Sequence, residues 1–145
     1  MFSKSCEYAI RAAIFIALNC ERDYKVGKNE IAAEIASPVA FLAKILQKLV
    51  KANIIKSTKG VGGGFEIAQE KLSQIKLTQI VLAIDGDSIF TRCGLGLKHC
   101  SEVHPCSVHE KFKFVKQDLT KLLDDTSLAD MVLDLKRRNT FLKSD

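Results

Sequence analysis

No stretch of this chain approaches the ~18 consecutive apolar residues that cross a bilayer, so no membrane is expected among its partners. It also has no Gly-Lys-Ser/Thr phosphate loop, no paired carboxylates and no nucleophile motif, so an enzyme is not expected. Its five cysteines include no C-x-x-C pair, the spacing used by cysteine-based oxidoreductases, zinc ribbons and bacterial ferredoxins. Internal repeats and low-complexity segments are absent as well.

What is present is an ordinary globular composition: 145 residues, 47% hydrophobic and 27% charged. Such a length fits one domain, or a small domain with an appended helical element, and buries enough core to need no disulfide framework. The opening MFSKSCEYAIRAAIFIALNC has the outline of a signal peptide. Glu7 and Arg11 interrupt its apolar run, however, and the apolar residues recur at helical spacing. It therefore reads as a mature amphipathic helix, and the protein as cytoplasmic. In a reducing compartment, clustered cysteines point to metal or redox chemistry. A net charge of +5 favours a polyanionic partner.

Helical spacing predicts a first helix from about Ser3 to Cys20, with Ala9, Ala12, Ala13, Ile16 and Cys20 on its apolar stripe. A short helix over 29–36 carries Ile31 and Ile35. Ser37-Pro38 ends it and opens another over 39–52, which buries Leu42, Ile45, Leu46 and Leu49. Lys44, Gln47, Lys48 and Lys51 lie on its other face. Two short helices joined by a tight turn form a helix-turn-helix pattern. A strand over 54–58, a glycine turn over 60–64 and a returning strand over 65–68 follow. The glycines are not a dinucleotide fingerprint, because the third would fall on Phe65 and a strand follows. They suit a wing whose backbone approaches DNA closely.

Residues 77–84 read as a further helix, broken at Asp85-Gly86-Asp87. From Ser107 the pattern is helical again, and Val108, Phe112, Val115, Leu119 and Leu122 form an a/d seam. That seam either pairs with a second copy or covers the chain's own core. A last helix over 127–138 opens on a Ser127 cap with Asp130 behind it. The expected fold is mainly α with a small β-hairpin wing: a winged helix-turn-helix plus a long dimerisation helix. Residues 1–86 form the DNA-binding domain, 87–106 a cysteine-rich cluster loop, and 107–145 the dimerisation and C-terminal helices. Candidate DNA contacts are Lys28, Lys44, Gln47, Lys48, Ser57, Thr58, Lys59, Gly62 and Gly63.

The stretch TRCGLGLKHCSEVHPCSVHEKF holds three of the five cysteines and all three histidines. Gly94 and Gly96 let the chain fold back so that Cys93, Cys100 and Cys106 can converge. Pro105 stiffens the approach to Cys106, which is expected at a helix start where the dipole stabilises a thiolate. Arg92, Lys98 and Lys111 would offset an anionic centre. His109, three residues after Cys106, would share its helical face and is a candidate fourth ligand; His99 and His104 are weaker ones. From the residues alone, a metal site and redox-active thiols both stay open. Cys6 and Cys20 read as core thiols.

The segments K-S-C-E-Y-A-I-R-A, FLAKILQKLVKANII, TKGVGGGFEIA, the three-cysteine stretch and SLADM carry a resemblance that spans nearly the whole chain. In them the chain resembles the BadM/IscR/NsrR transcription regulators, the Rrf-two family. The resemblance implies a homodimer that binds double-stranded DNA at a roughly palindromic operator. It also implies an iron-sulfur cluster, 2Fe-2S or 4Fe-4S, that senses cluster supply, nitric oxide or redox state and can be lost on purification. Members without a cluster exist, so a clusterless thiol-redox or zinc-binding regulator is the alternative. Carried over by position, Cys93, Cys100 and Cys106 match the cluster cysteines. His109 matches the histidine of the IscR branch, and Glu7 matches an acidic ligand that some NsrR-like members supply from the other subunit. Two departures stand out. The family's wing arginine is Lys59 here, which keeps the charge and loses the planar fork. Ala40 and Ala43 stand where polar groups can read bases.

Overall fold

The computed structural model describes residues 1–138 and 140–144, without the Arg138 side chain; Asn139 and Asp145 of the expected C-terminal segment lie outside the described residues. Helix α1 (Lys4–Leu18) begins where the Ser3 hydroxyl accepts the Cys6 N–H at 3.0 Å. Ser3 is itself held by the Asp85 carboxylate. The alanines of α1 let neighbours approach closely: Ala9, Ala12 and Ala13 are fully buried. Around α1 pack α2 (Lys28–Ile35), α3 (Val39–Lys51), α4 (Leu77–Asp85) and α7 (Leu128–Arg138). The first helix is shorter than expected. Asn19 ends it by turning its side-chain amide onto the Phe15 carbonyl, and Cys20 falls in a half-buried 3-10 turn over Cys20–Arg22.

Helix α2 closes through Ala36, whose φ of 53° lies in the left-handed region, with the Ser37 N–H reaching the Ala32 carbonyl at 3.0 Å. An alanine there costs roughly 1–2 kcal/mol relative to the right-handed region, a local strain carried at the turn between the two helices. Pro38 then caps α3 and pre-sets its first turn. Leu42, Leu46 and Leu49 are at most 1% exposed, which fixes α3 against α1 by burial.

Strands β1 (Lys56–Thr58) and β2 (Gly64–Glu66) pair antiparallel in the register Lys56–Glu66, Ser57–Phe65 and Thr58–Gly64. Both are shorter than expected. Ile54, Ile55 and Ile67 are drawn into the core instead of the ladder. Val26, fully buried, bridges Phe65 through two backbone bonds of 2.9 and 2.8 Å and ties the wing's root to the segment before α2.

A short α5 (Ser88–Thr91) interrupts the expected loop, and the long α6 (His109–Asp125) follows it. α6 joins the body through a small cluster of Cys6, Leu77, Val81 and Leu123. A backbone bridge between Lys76 and Ser127 sets the starts of α4 and α7 side by side. Of α6 only His109 and Leu123 are buried, with Leu119 of the seam half-buried against that small cluster. The seam is left largely open, with Phe112 37%, Val115 59% and Leu122 55% exposed, beside Phe114 at 64%.

Candidate DNA interface and cysteine loop

The core face of α3 fixes which residues its other face presents. Lys44, Gln47 and Lys48 are all exposed, as spacing predicts. The hairpin folds back beside that face, and together they form a groove of about 570 Å³. Lys28, Gln47, Ser57 and Lys59 line it, four of the expected DNA contacts brought to one concavity from three elements. Lys51, expected on the lysine face but not among the candidate DNA contacts, lines it too. Lys44 and Lys48 stand outside this groove on the same helix. Thr58 ends β1, paired with Gly64.

The wing tip is built for glycine at Gly63. A Cβ there would lie 2.2 Å from the Thr58 carbonyl oxygen, and the Gly63 N–H closes the turn on Gly60 at 3.0 Å. Gly62, with φ of 76°, occupies the left-handed region beside it. The tip therefore carries bare backbone and the exposed Lys59 toward whatever the groove meets.

In the cysteine segment the three thiols have different surroundings. Cys93 is buried. The backbone N–H groups of Leu95 and Leu97 hold its thiol below the ordinary range, helped by the Cys106 side chain and the Gly96 N–H. Amides aimed at a sulfur favour its thiolate. Cys100 is exposed, and its sulfur lies 3.6 Å from Nδ1 of His109 and 3.5 Å from Nζ of Lys116. His109 is 8% exposed, with Nε2 buried and unpartnered. Lys113 clamps the loop to α6 through Glu102 at 2.6 Å. This ion pair draws the Glu102 carboxyl down and the Lys113 ammonium up from their usual ranges. The Phe112 ring packs on the bare backbone of Gly94, where a Cβ would sit 2.6 Å from it.

Two expectations about this segment need correction. Cys106 does not start a helix: α6 begins at His109, after a turn closed by the His109 N–H on the Cys106 carbonyl at 3.0 Å. Consequently His109 does not share a helical face with Cys106. Its ring turns to Cys100, while the Cys106 side chain meets Cys93. The donors thus come together as two pairs. Among the described residues no group of three or more His, Cys, Asp or Glu side chains is placed to hold a single metal ion.

His99 and His104 are exposed. Glu7 is exposed on α1, ion-paired with Lys4 at 3.4 Å. Cys6 is fully buried, and burial, with Asp85 nearby, pushes its thiol up to about 12. It is inert, as expected of a core thiol.

Comparison with known proteins places this arrangement. The sequence model of the Rrf2 family, described as an iron-dependent transcriptional regulator, matches residues 2–134. The chain is 33% identical over 134 residues to a protein of Aquifex aeolicus named for a helix-turn-helix-type transcriptional regulator, covering 91% of each. It is 25% identical over 127 residues to the transcriptional regulator IscR of Vibrio atlanticus, covering 88% of this chain and 72% of the relative. Its fold superposes on T. potens IscR with a TM-score of 0.75 at 22% identity, covering 97% and 91% of the two chains. These relatives are regulators and not enzymes, and a mainly helical body with a two-strand wing is their winged-helix fold. Among the described residues no helix is long and apolar enough to cross a membrane. The chain belongs to the Rrf2 family of transcriptional regulators.

Proposed function

We propose that the chain is a homodimeric regulator that binds a roughly palindromic operator and senses nitric oxide, redox state or cluster supply through an iron-sulfur cluster on its cysteine loop. One observation carries the sensing half: the donors meet in pairs, Cys93 with Cys106 and Cys100 with His109, and one imidazole nitrogen is buried without a partner. Thiolates with an imidazole are a donor set suited to iron-sulfur ligation. A single ion needs its donors around one point. A two-iron cluster takes two protein ligands on each iron, so paired donors favour 2Fe-2S over zinc. With Glu7 of a second copy replacing His109, the 4Fe-4S form is the variant of this reading.

In this reading residues 1–86 bind DNA, 87–106 hold the cluster and 107–145 supply the dimer and C-terminal helices. Lys44, Gln47 and Lys48 of α3 enter a major groove, and the Lys59 wing meets phosphate or a minor groove. Lys28, Ser57, Thr58, Gly62 and Gly63 line the same approach. When bound, the cluster supplies a centre that changes charge or reacts with nitric oxide. The chain supplies coupling: the loop rests on α6 through Phe112 and Lys113, and the root of α6 shares a cluster with Cys6 of α1. A change in the loop then biases the population of DNA-competent dimers.

The test is iron, acid-labile sulfide and zinc per chain on anaerobically purified protein, beside Cys100→Ala, with selection of bound duplexes from random DNA. Iron and sulfide lost in Cys100→Ala, and an enriched palindrome, are expected. A second reading rests on the Cys106 side chain helping to hold the Cys93 thiol below its ordinary range, both being free thiols. Zinc alone would make the protein a zinc-binding regulator, and no metal a clusterless thiol switch.

A further inference from the structure

Of the three loop cysteines, Cys93 is buried among backbone amides, whereas Cys100 is exposed and its sulfur contacts side chains of α6. One of these is Lys116, at 3.5 Å. Lys116 stands one turn beyond Lys113, which is spent on Glu102 at 2.6 Å. The two lysines thus divide the work. Lys113 holds the loop's backbone to the helix through an acidic side chain, and Lys116 presents its charge to a sulfur. Both line a groove of about 750 Å³ onto which the exposed Cys100 opens, with the buried His109 in its wall. Lys121, farther along the groove, is within 3.9 Å of Asp125.

We infer that Lys116 tunes the cluster of the proposed function, as a charge-compensating donor to the sulfur of Cys100. The inference rests on that reading. Ligand thiolates and cluster sulfides concentrate negative charge, and hydrogen bonds to ligand sulfurs are among the factors that set a cluster's potential. An ammonium beside one ligand sulfur stabilises the reduced state, the more negative one, more than the oxidised state. Lys116 therefore holds the midpoint potential up. It does so at Cys100, the exposed one of the three loop cysteines.

The experiment compares wild type, Lys116→Met, Lys116→Arg, Lys116→Gln and Lys121→Met, all purified anaerobically. Iron and sulfide per chain are measured first, then the midpoint potential by redox titration followed in the visible spectrum. With full loading, Lys116→Met should lower the potential, Lys116→Arg should restore it, and Lys116→Gln, a neutral donor, should fall between. Lys121→Met, exposed farther along the same helix and facing Asp125, should leave it unchanged. Wild-type protein without iron and sulfide would overturn the cluster reading and this inference with it. A loaded Lys116→Met at the wild-type potential would overturn this inference alone. Were Lys116→Met to lose its cluster, Lys116→Gln decides: a potential equal to wild type rejects the tuning role, and a lowered one sustains it.

Discussion

At the scale of single residues, the groove between α3 and the wing concentrates cation and backbone donor where little else competes. Lys59 lines that groove from the wing side, beside a tip where only glycine fits at Gly63. A lysine is a flexible point charge, so in the proposed complex its contribution would be chiefly electrostatic, displacing a condensed counterion from a phosphate. Lys59→Ala should weaken binding to specific and random duplex alike and reduce the slope of log K against log salt by about one unit. Fluorescence anisotropy across a salt series checks this. An unchanged slope would remove the wing from the phosphate backbone. Lys59→Arg should keep the slope, and a gain in sequence preference would show that the lost fork matters.

At the scale of elements, what was legible followed from burial. Helices whose apolar positions repeat at 3, 4 and 7 were found within two residues of their ends, because the core of Leu42, Ile45, Leu46 and Leu49 dictates the face. Short elements were not. The ladder stops at Lys56 because Ile54 and Ile55 leave it for the core, and α5 spans only Ser88–Thr91, too short for a period to show. The site divides the same way. The lysine face could be read from spacing, while the Cys93–Cys106 and Cys100–His109 pairing depends on a turn at 106–108 that no periodicity announces. The Ser127 cap was legible, since capping is local chemistry. Its hydroxyl accepts the Asp130 N–H at 3.1 Å, and the Asp130 carboxylate accepts the Ser127 N–H at 2.9 Å. Ser127→Ala should cost about 1 kcal/mol in urea unfolding. The Ser127 N–H and hydroxyl hold the Asp130 carboxyl below its usual range. The stabilisation is therefore present above the unfolded carboxyl's value of about 3.9 and lost as pH falls through the lower folded value. The stability gap between wild type and Asp130→Asn should close in acid; a constant gap would detach the cap from that charge.

At the scale of the whole molecule, the open question is what meets α6. An isolated helix with Phe114, Val115 and Leu122 more than half exposed presents an apolar stripe that water does not favour. Its heptad spacing is that of a helix pairing with a copy of itself. The same helix roots in the cluster with Cys6 and carries the cysteine loop at its other end, so pairing would join two heads and two loops along one axis. Val115 tests this better than Phe112, whose ring also packs on Gly94 of the loop. Val115→Glu would bring two carboxylates to a two-fold seam. It should weaken the proposed dimer by at least about tenfold in Kd, equivalent to roughly 1.4 kcal/mol, and yield monomers in sedimentation velocity where wild type is expected to run as a dimer. Circular dichroism and the thermal midpoint should barely change, because Val115 is exposed and lies outside the chain's own core clusters. Affinity for a two-half-site duplex should fall with the dimer, while affinity for a single half-site should hold. Dimers that survive Val115→Glu would move the interface off α6, and the exposed stripe would then have to serve another partner.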